Sequence, residues 1–207
     1  MPLVRKPGPD TPPQGPAVAV VLRGLVSTDA EERWTAARAA PDVAGATDAL
    51  IAALRAETDV RVREAMLTSL ARINSRESID AILALLRTDD ASSRTGALDT
   101  LRAMGSAMRD HLPQLLTDAD SDVRVFGCEL ARALPGPEAT RLLCDLLARE
   151  AEVNVCGAAI DVLSEIGEAE ALPVLVECAA RFRDSPFLGF AIKVATDRIV
   201  AQSTPHG

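Results

Sequence analysis

The sequence predicts an all-α protein, an α-solenoid (right-handed superhelix) of about six helix pairs. One helical pattern recurs along the chain at successive separations of 30, 31, 30, 32 and 32 residues. Within the copies, apolar residues recur at helical spacing, and no stretch shows the alternating pattern of a β-strand. Self-similarity at such a period is typical of proteins in which each helix pair packs mainly on its neighbours.

The chain divides into an arm, a repeat domain and a tail. Residues 1–16 contain six prolines and no apolar run, so we expect a disordered or polyproline-like arm, with a Pro-x-x-Pro ligand as a weaker alternative. The repeat domain is predicted over 17–201 and a disordered tail over 202–207. We expect no signal peptide and a cytoplasmic protein.

Each helix pair is predicted from its own apolar positions. The first helices are expected over 17–26, 45–56, 77–87, 107–117, 137–149 and 168–182. The second helices are expected over 30–41, 60–73, 91–104, 121–134, 153–166 and 186–201.

A common numbering relates the second helices to one another. Offset zero, the core anchor, is assigned to Glu32, Val62, Ser93, Val123, Val155 and Phe187. Offsets 0, 4, 8 and 11 are mostly apolar or small and form one face of a helix. Offset 12 holds Asn74, Gly105 and Gly167, which predicts a left-handed residue after the helix.

Offsets −3 and +1 carry opposite charges. Offset −3 holds Asp29, Asp59, Asp90, Asp120, Glu152 and Asp184, where a carboxylate can cap the second helix. Offset +1 holds Arg33, Arg63, Arg94 and Arg124. We predict a structural ladder in which each arginine bridges its own aspartate and a neighbouring copy's: Asp29, Arg33, Asp59, Arg63, Asp90, Arg94, Asp120 and Arg124. A ligand site formed by these arginines is the alternative.

This pattern resembles the HEAT-like repeats first associated with phycocyanobilin lyases. The residues that carry the resemblance are 59–65 (DVRVREA) with Leu70 and Ile73, 120–124 (DSDVR) with Leu134, and 172–175 (LPVL). It covers about 185 of the 207 residues. The resemblance implies that the second helices line a concave face. Because that family contains scaffolds, adaptors, lyase subunits and a few enzymes, the resemblance is informative about fold rather than function.

Charge and composition argue against several functions. A net charge of −8 argues against nucleic acid as a partner, because a nonspecific nucleic-acid binder needs clustered cations. No stretch approaches the apolar length of a membrane span, so no membrane association is expected. The four cysteines lie within helical apolar patterns without a C-x-x-C pair, which favours buried, reduced thiols over a metal or redox site.

Catalytic and metal-binding residues are scarce. His111 and His206 are the only two histidines, and no His-Glu dipeptide occurs. The resemblance extends to HEAT-like deoxyhypusine hydroxylases, which coordinate iron with repeated His-Glu pairs. Because this chain has no such pair, we expect no iron site of that kind. We predict no catalytic residue, no metal ligand and no cofactor.

The predicted binding surface is a ridge on the second helices. Offsets +2, +6 and +9 lie away from the core stripe and mix apolar, polar and charged side chains. The predicted partner-binding residues are Trp34, Arg38, Glu64, Thr68, Thr95, Asp99, Arg102, Val125, Glu129, Arg132 and Asp161. A solvated charged face is the alternative for most of them.

We therefore predict a non-enzymatic scaffold or adaptor that binds another protein on its concave face. The alternative is an accessory subunit of a bilin-lyase-like or other prosthetic-group-attaching enzyme. A HEAT-like DNA glycosylase is a distant third, because such an enzyme needs a cationic, aromatic-lined face. The sequence indicates neither the partner's identity nor whether the chain self-associates.

Overall fold

The structure is a computed structural model and describes residues 16–203. Within that range it contains twelve α-helices, short 3₁₀ turns and no β-strand, so the all-α solenoid class is confirmed. The chain forms two compact units, which meet in sequence between Thr100 and Leu101. Residues 1–15 of the predicted arm and 204–207 of the predicted tail lie outside the described residues.

The first unit contains two helix pairs and most of a third. Its elements are α1 (Pro16–Leu25), α2 (Ala30–Ala39), α3 (Thr47–Ala56), α4 (Val60–Ile73), α5 (Arg76–Ala84) and most of α6 (Ala91–Met104). Helices α1 and α2 pack as one pair, α3 and α4 as the next, and the second helices α2 and α4 lie side by side. This stacking of second helix on second helix exposes one face of each to solvent.

The second unit repeats the arrangement. After the end of α6 it contains α7 (Leu112–Leu115), α8 (Ser121–Ala131), α9 (Gly136–Leu147), α10 (Val153–Ile166), α11 (Leu172–Arg181) and α12 (Pro186–Ser203). Here α8 packs on α10, and α10 packs on α12. The pairs α9–α10 and α11–α12 are in contact within themselves as well.

The predicted core stripe is buried where the repeats are regular. In α4, Val62, Met66 and Leu70 are at most 1% exposed. In α10, Val155 and Leu163 are fully buried. At about 25 cal/mol per Å² of apolar surface, burial of such side chains supplies most of the stabilisation of each interface.

The predicted helix over 107–117 is wrong. A 3₁₀ turn (Gly105–Met108) and the single turn α7 replace it. Gly105 ends α6 with a φ of 55°, and Pro113 both lacks an N–H and disfavours helical conformation in the residue before it. Met108 and Leu112 are nevertheless buried, so the apolar pattern packs without a continuous helix.

The last second helix is displaced by one residue from its predicted register. Phe187, the predicted anchor, is 61% exposed, whereas Leu188 is fully buried. The cap is displaced equally: Ser185 Oγ accepts from the Leu188 amide at 3.4 Å. Asp184 therefore does not occupy the capping position of α12, as the sequence had suggested.

The residues after the second helices follow the prediction at two of three positions. Asn74 and Gly105 are left-handed, with φ of 50° and 55°. Gly167 is extended, with φ −69° and ψ 151°, so the left-handed prediction is wrong there. A Cβ at Gly167 would collide with the Leu163 carbonyl, and close approach rather than positive φ is the reason for glycine.

Candidate functional site

Acids at offset −3 cap four of the second helices through their side chains. Each carboxylate accepts from the backbone amide two residues later, at 2.7–3.2 Å. The four are Asp29, Asp59, Asp90 and Asp120. Glu152 occupies the cap position of α10 without a side-chain cap bond. These carboxylates satisfy amides that the helix leaves unpaired.

The arginines of the first unit join successive helix pairs. Arg63 contacts the predicted aspartate of the next copy, Asp90, whereas Arg33 has a partner that was not predicted. Arg33 pairs with Glu57 through Nε–Oε2 at 2.7 Å and Nη2–Oε1 at 3.1 Å, and not with Asp29 or Asp59. Arg63 donates to the Glu57 carbonyl at 3.1 Å and lies 3.4 Å from Asp90. The bidentate acid therefore comes from the loop before the following second helix.

The second unit contains the same device. Arg124 donates to Glu150 at 2.7 and 3.1 Å and to the Asp118 carbonyl at 2.9 Å, rather than to its own Asp120. Near the boundary, Arg94 donates to the Thr88 carbonyl at 2.6 Å. Glu57 and Glu150 both lie at offset −5, a position that the sequence analysis did not single out.

Both loop carboxylates are held in the ionised form. The hydrogen bond from Arg33 lowers the pKa of Glu57, and bonds from the amides of Asp59 and Thr58 add to it against the effect of burial. Burial raises the pKa of Glu150, but the hydrogen bonds from Arg124 and two backbone amides outweigh it, and the net pKa is lowered. These two acids are structural, since their oxygens face the protein's own donors.

The ridge of the second unit is an ion-paired row. Arg102 lies 3.1 Å from Glu129, and Arg132 lies 3.5 Å from Glu129 and 3.0 Å from Asp161. Arg132 also pairs with Glu165, and this contact, with the others, raises the pKa of the guanidinium. Half-buried Val125 lies on the same helix as Glu129. The predicted ridge charges here neutralise one another.

The ridge of the first unit forms a groove between α2 and α4. We call it the Trp34 groove; its volume is about 480 Å³ and its main lining side chains are Trp34, Arg38, Arg61, Glu64, Thr68 and Arg72. The guanidinium carbon of Arg38 lies 4.6 Å from the Trp34 ring centroid, and that of Arg61 lies 5.9 Å from it. Four predicted ridge residues are therefore brought together, with Arg61 and Arg72 added.

A second, smaller groove lies beside it on the same unit. Its volume is about 380 Å³, and it lies between α4 and α6. Glu64, Thr95 and Asp99 line it. All of the ridge residues predicted on the first unit therefore line one groove or the other, whereas those of the second unit belong to the ion-paired row or adjoin it.

The four cysteines of residues 16–203 differ in pKa: a hydrogen bond with Cys156 lowers the pKa of Cys178 to about 7, whereas the other three thiols have raised pKa values. No group of three or more His, Cys, Asp or Glu side chains in this range could hold a metal ion. Burial raises the pKa of Cys128 to about 12 and that of Cys144 to about 11, so these thiols are protonated at neutral pH. No helix in the described range is long and apolar enough to cross a bilayer.

Comparison of the sequence with models of known protein families identifies the family of this chain. The model for HEAT repeats matches residues 47–125 and 108–187, which is more than half of the chain. The chain belongs to the HEAT repeat family. No curated protein sequence matches this HEAT repeat protein.

Solved structures resemble this HEAT repeat protein in fold. The third TOG domain of Drosophila melanogaster Mini spindles ("TOG3") has 18% identity and a TM-score of 0.60, over 90% of this chain and 96% of that one. Cex1p has 15% identity and a TM-score of 0.52, over 92% and 44%. The CpcE–CpcF complex of phycocyanin lyase from Nostoc sp. PCC7120 has 19% identity and a TM-score of 0.39, over 95% and 100%. At these identities the first two similarities concern the fold alone, and the third, with a TM-score of 0.39, carries no argument.

Proposed function

We propose that this HEAT repeat protein is a non-enzymatic scaffold or adaptor that binds another protein on the exposed faces of its second helices. The observation that carries the proposal is the Trp34 groove. A half-buried tryptophan lies there between two arginines, at 4.6 and 5.9 Å, on a surface open to solvent. Tryptophan and arginine are the residue types most enriched among the side chains that dominate binding energy at protein interfaces.

The arrangement of the repeats supports the same proposal. The acids at offset −3 and the arginines at offset +1 are occupied with capping and with joining neighbouring pairs. Those residues therefore hold the helices in place. The groove side chains on α2 and α4 are left to form a surface that a partner can contact. Because α2 and α4 pack side by side, the backbone that carries the groove side chains is held in place, and less conformational entropy is lost when the partner docks.

Affinity capture from the native host tests this proposal. The tagged protein is compared with Thr68→Phe, which fills the Trp34 groove with a large neutral side chain, and with Asp80→Phe, the same residue introduced on the exposed side of α5. We expect one partner protein to be recovered with the wild type and the Asp80 variant, and to fall at least tenfold with the Thr68 variant. Glu129 is unsuitable for reversal, because Arg102 and Arg132 already hold it.

Two outcomes would contradict the proposal. Mass spectrometry of proteins and small molecules together would detect a client that carries a tetrapyrrole or another prosthetic group. Such a client would support an accessory subunit of a group-attaching enzyme instead. Loss of the partner with the Asp80 variant alone would move the working surface to the first helices.

A further inference from the structure

The Trp34 groove has a charge that differs from that of the whole protein. The chain carries a net charge of −8. The charged side chains that line the groove are three arginines, Arg38, Arg61 and Arg72, and one acid, Glu64. A ligand that enters the groove therefore meets a local excess of positive charge around an indole ring.

The ion pairs at the edge of the groove are easily exchanged. Arg61 pairs with Glu31 at 3.2 Å, and both side chains are more than 60% exposed. Arg72 pairs with Asp42 at 2.7 Å, and both are more than half exposed. Solvent-exposed pairs of this kind contribute about 0–1 kcal/mol. A carboxylate from outside can therefore replace Glu31 or Asp42 at small cost.

Arg38 is already oriented for such a carboxylate. Its guanidinium carbon lies 4.6 Å from the Trp34 ring centroid, and its side chain is exposed, so a ligand can approach its N–H donors from solvent. A guanidinium edge binds a carboxylate in bidentate geometry. The indole of Trp34 supplies an apolar surface beside that edge for an aliphatic or aromatic side chain of the ligand.

The ridge of the second unit offers no comparable site. Arg132 contacts Glu129, Asp161 and Glu165, so its donors are engaged. An acid from outside would have to displace several carboxylates at once there. Of the two ridges, that of the first unit is therefore the one whose arginines have exposed, exchangeable partners.

We propose that the Trp34 groove binds an extended acidic segment of a partner protein, with acidic side chains on Arg38 and Arg72 and an apolar side chain on Trp34. This inference rests on the proposed function and specifies the partner's chemistry. The groove volume of about 480 Å³ holds a few side chains, which fits a peptide segment rather than the surface of a folded domain. The acidic character of the whole protein favours a short acidic segment over a long polyanion such as nucleic acid.

Trp34 provides a direct readout, because it is the only tryptophan in the chain. A short tryptophan-free peptide with glutamates on both sides of a central leucine is titrated while the Trp34 emission is recorded. Matched peptides carry glutamine or lysine in place of every glutamate. We expect only the acidic peptide to change the emission with saturation, and its affinity to fall as salt screens the arginines.

Charge variants locate the bound peptide. Arg38→Glu with Arg72→Glu should weaken binding at least tenfold, and Arg38→Gln with Arg72→Gln repeats the test without adding acids. Arg55→Glu, an exposed site on α3 outside the groove, is the matched control and should bind as the wild type does. Circular dichroism checks that every variant is folded.

The results separate this inference from the proposed function. Equal affinity for the glutamine peptide, or unchanged affinity in the Arg38 and Arg72 variants, overturns the acidic-segment inference. Tighter binding of a single-stranded oligonucleotide than of the acidic peptide overturns it in favour of nucleic acid. If the wild type captures a partner that the Thr68 variant loses, but the acidic peptide does not bind, the proposed function is supported and the acidic-segment inference is wrong.

Discussion

Glu150 is the structural acid whose removal should have the clearest effect on the second unit. It lies in the loop before α10 and accepts four hydrogen bonds. Arg124 supplies two, at 2.7 and 3.1 Å. The amides of Ala151 and Glu152 supply the other two, both at 2.9 Å. The Glu150 and Arg124 side chains are only 6% and 14% exposed, so water replaces few of these bonds.

Glu150→Gln keeps the size of the side chain and removes its charge. The side-chain oxygen of the glutamine can still accept from the two backbone amides. Its NH₂ group, however, faces the N–H groups of Arg124, so two hydrogen-bond donors oppose each other there. Hydrogen bonds to charged groups contribute about 1.5–3 kcal/mol, and a buried donor without an acceptor costs a similar amount. Since Arg124 retains some contact with water, we expect a loss of about 2–3 kcal/mol of unfolding free energy.

Urea unfolding followed by circular dichroism measures this loss. Glu152→Gln is the matched control, because this exposed neighbour makes no side-chain cap bond; it should change stability by less than about 0.5 kcal/mol. A double-mutant cycle with Arg124→Ala should show strong coupling. Equal losses for the two glutamine variants, or additivity with Arg124→Ala, would refute the assigned role of Glu150.

The pair of Glu150 and Arg124 also predicts how the free energy of unfolding depends on pH. The pKa of Glu150 in the folded protein is lowered from its ordinary value of 4.5. The stabilisation by its charge is therefore complete above about pH 4.5 and is lost as pH falls through the lower folded pKa. The stability difference between wild type and Glu150→Gln should consequently narrow below pH 4.5. A difference that widens in acid would contradict this reasoning.

Three further predictions concern packing, backbone conformation and thiol reactivity. Leu101→Ala, at a fully buried position on α6, should cost about 2–5 kcal/mol in chemical denaturation through the cavity that it leaves. Asn74→Gly should be neutral or stabilising whereas Asn74→Ala should cost about 1 kcal/mol, because φ is 50°; equal stabilities would contradict the left-handed cap. Iodoacetamide at neutral pH should modify native Cys128 more slowly than half-buried Cys144, and both thiols should react faster after unfolding in urea. Rapid labelling of native Cys128 would contradict its burial.

The repeat period was sufficient to predict most helices. The second helices α4, α6 and α10 have the predicted bounds, because their apolar stripes have a clear helical period; in α4 and α6 an aspartate cap is a further local signal. The prediction failed over 107–117, where the apolar spacing suggested one continuous helix, because Pro113 is tolerated only in the first turn of a helix and α7 begins there. It failed again in α12, where Phe187 and Leu188 both suited an anchor and only packing on α10 distinguishes them.

The site was harder to predict, because its contacts depend on how neighbouring pairs stack. A fixed offset placed Arg33 beside Asp29 in sequence terms, but the stacked structure brings Glu57 within 2.7 Å of it. Arg61 and Arg72 were omitted from the ridge because the offsets describe one helix at a time. The groove is formed by two neighbouring helices, α2 and α4. The spacing of residues within one helix does not predict how far they lie from residues of the next helix.

Site-specific photo-cross-linking tests the claim that the second-helix faces bind the partner most directly. A photoreactive residue replaces Thr68 in the Trp34 groove or, separately, Asp80 on the exposed side of α5. Both proteins are irradiated in extract of the native host. The account predicts that one partner protein is cross-linked from position 68 and none from position 80. A partner cross-linked from position 80 and absent from position 68 would contradict it.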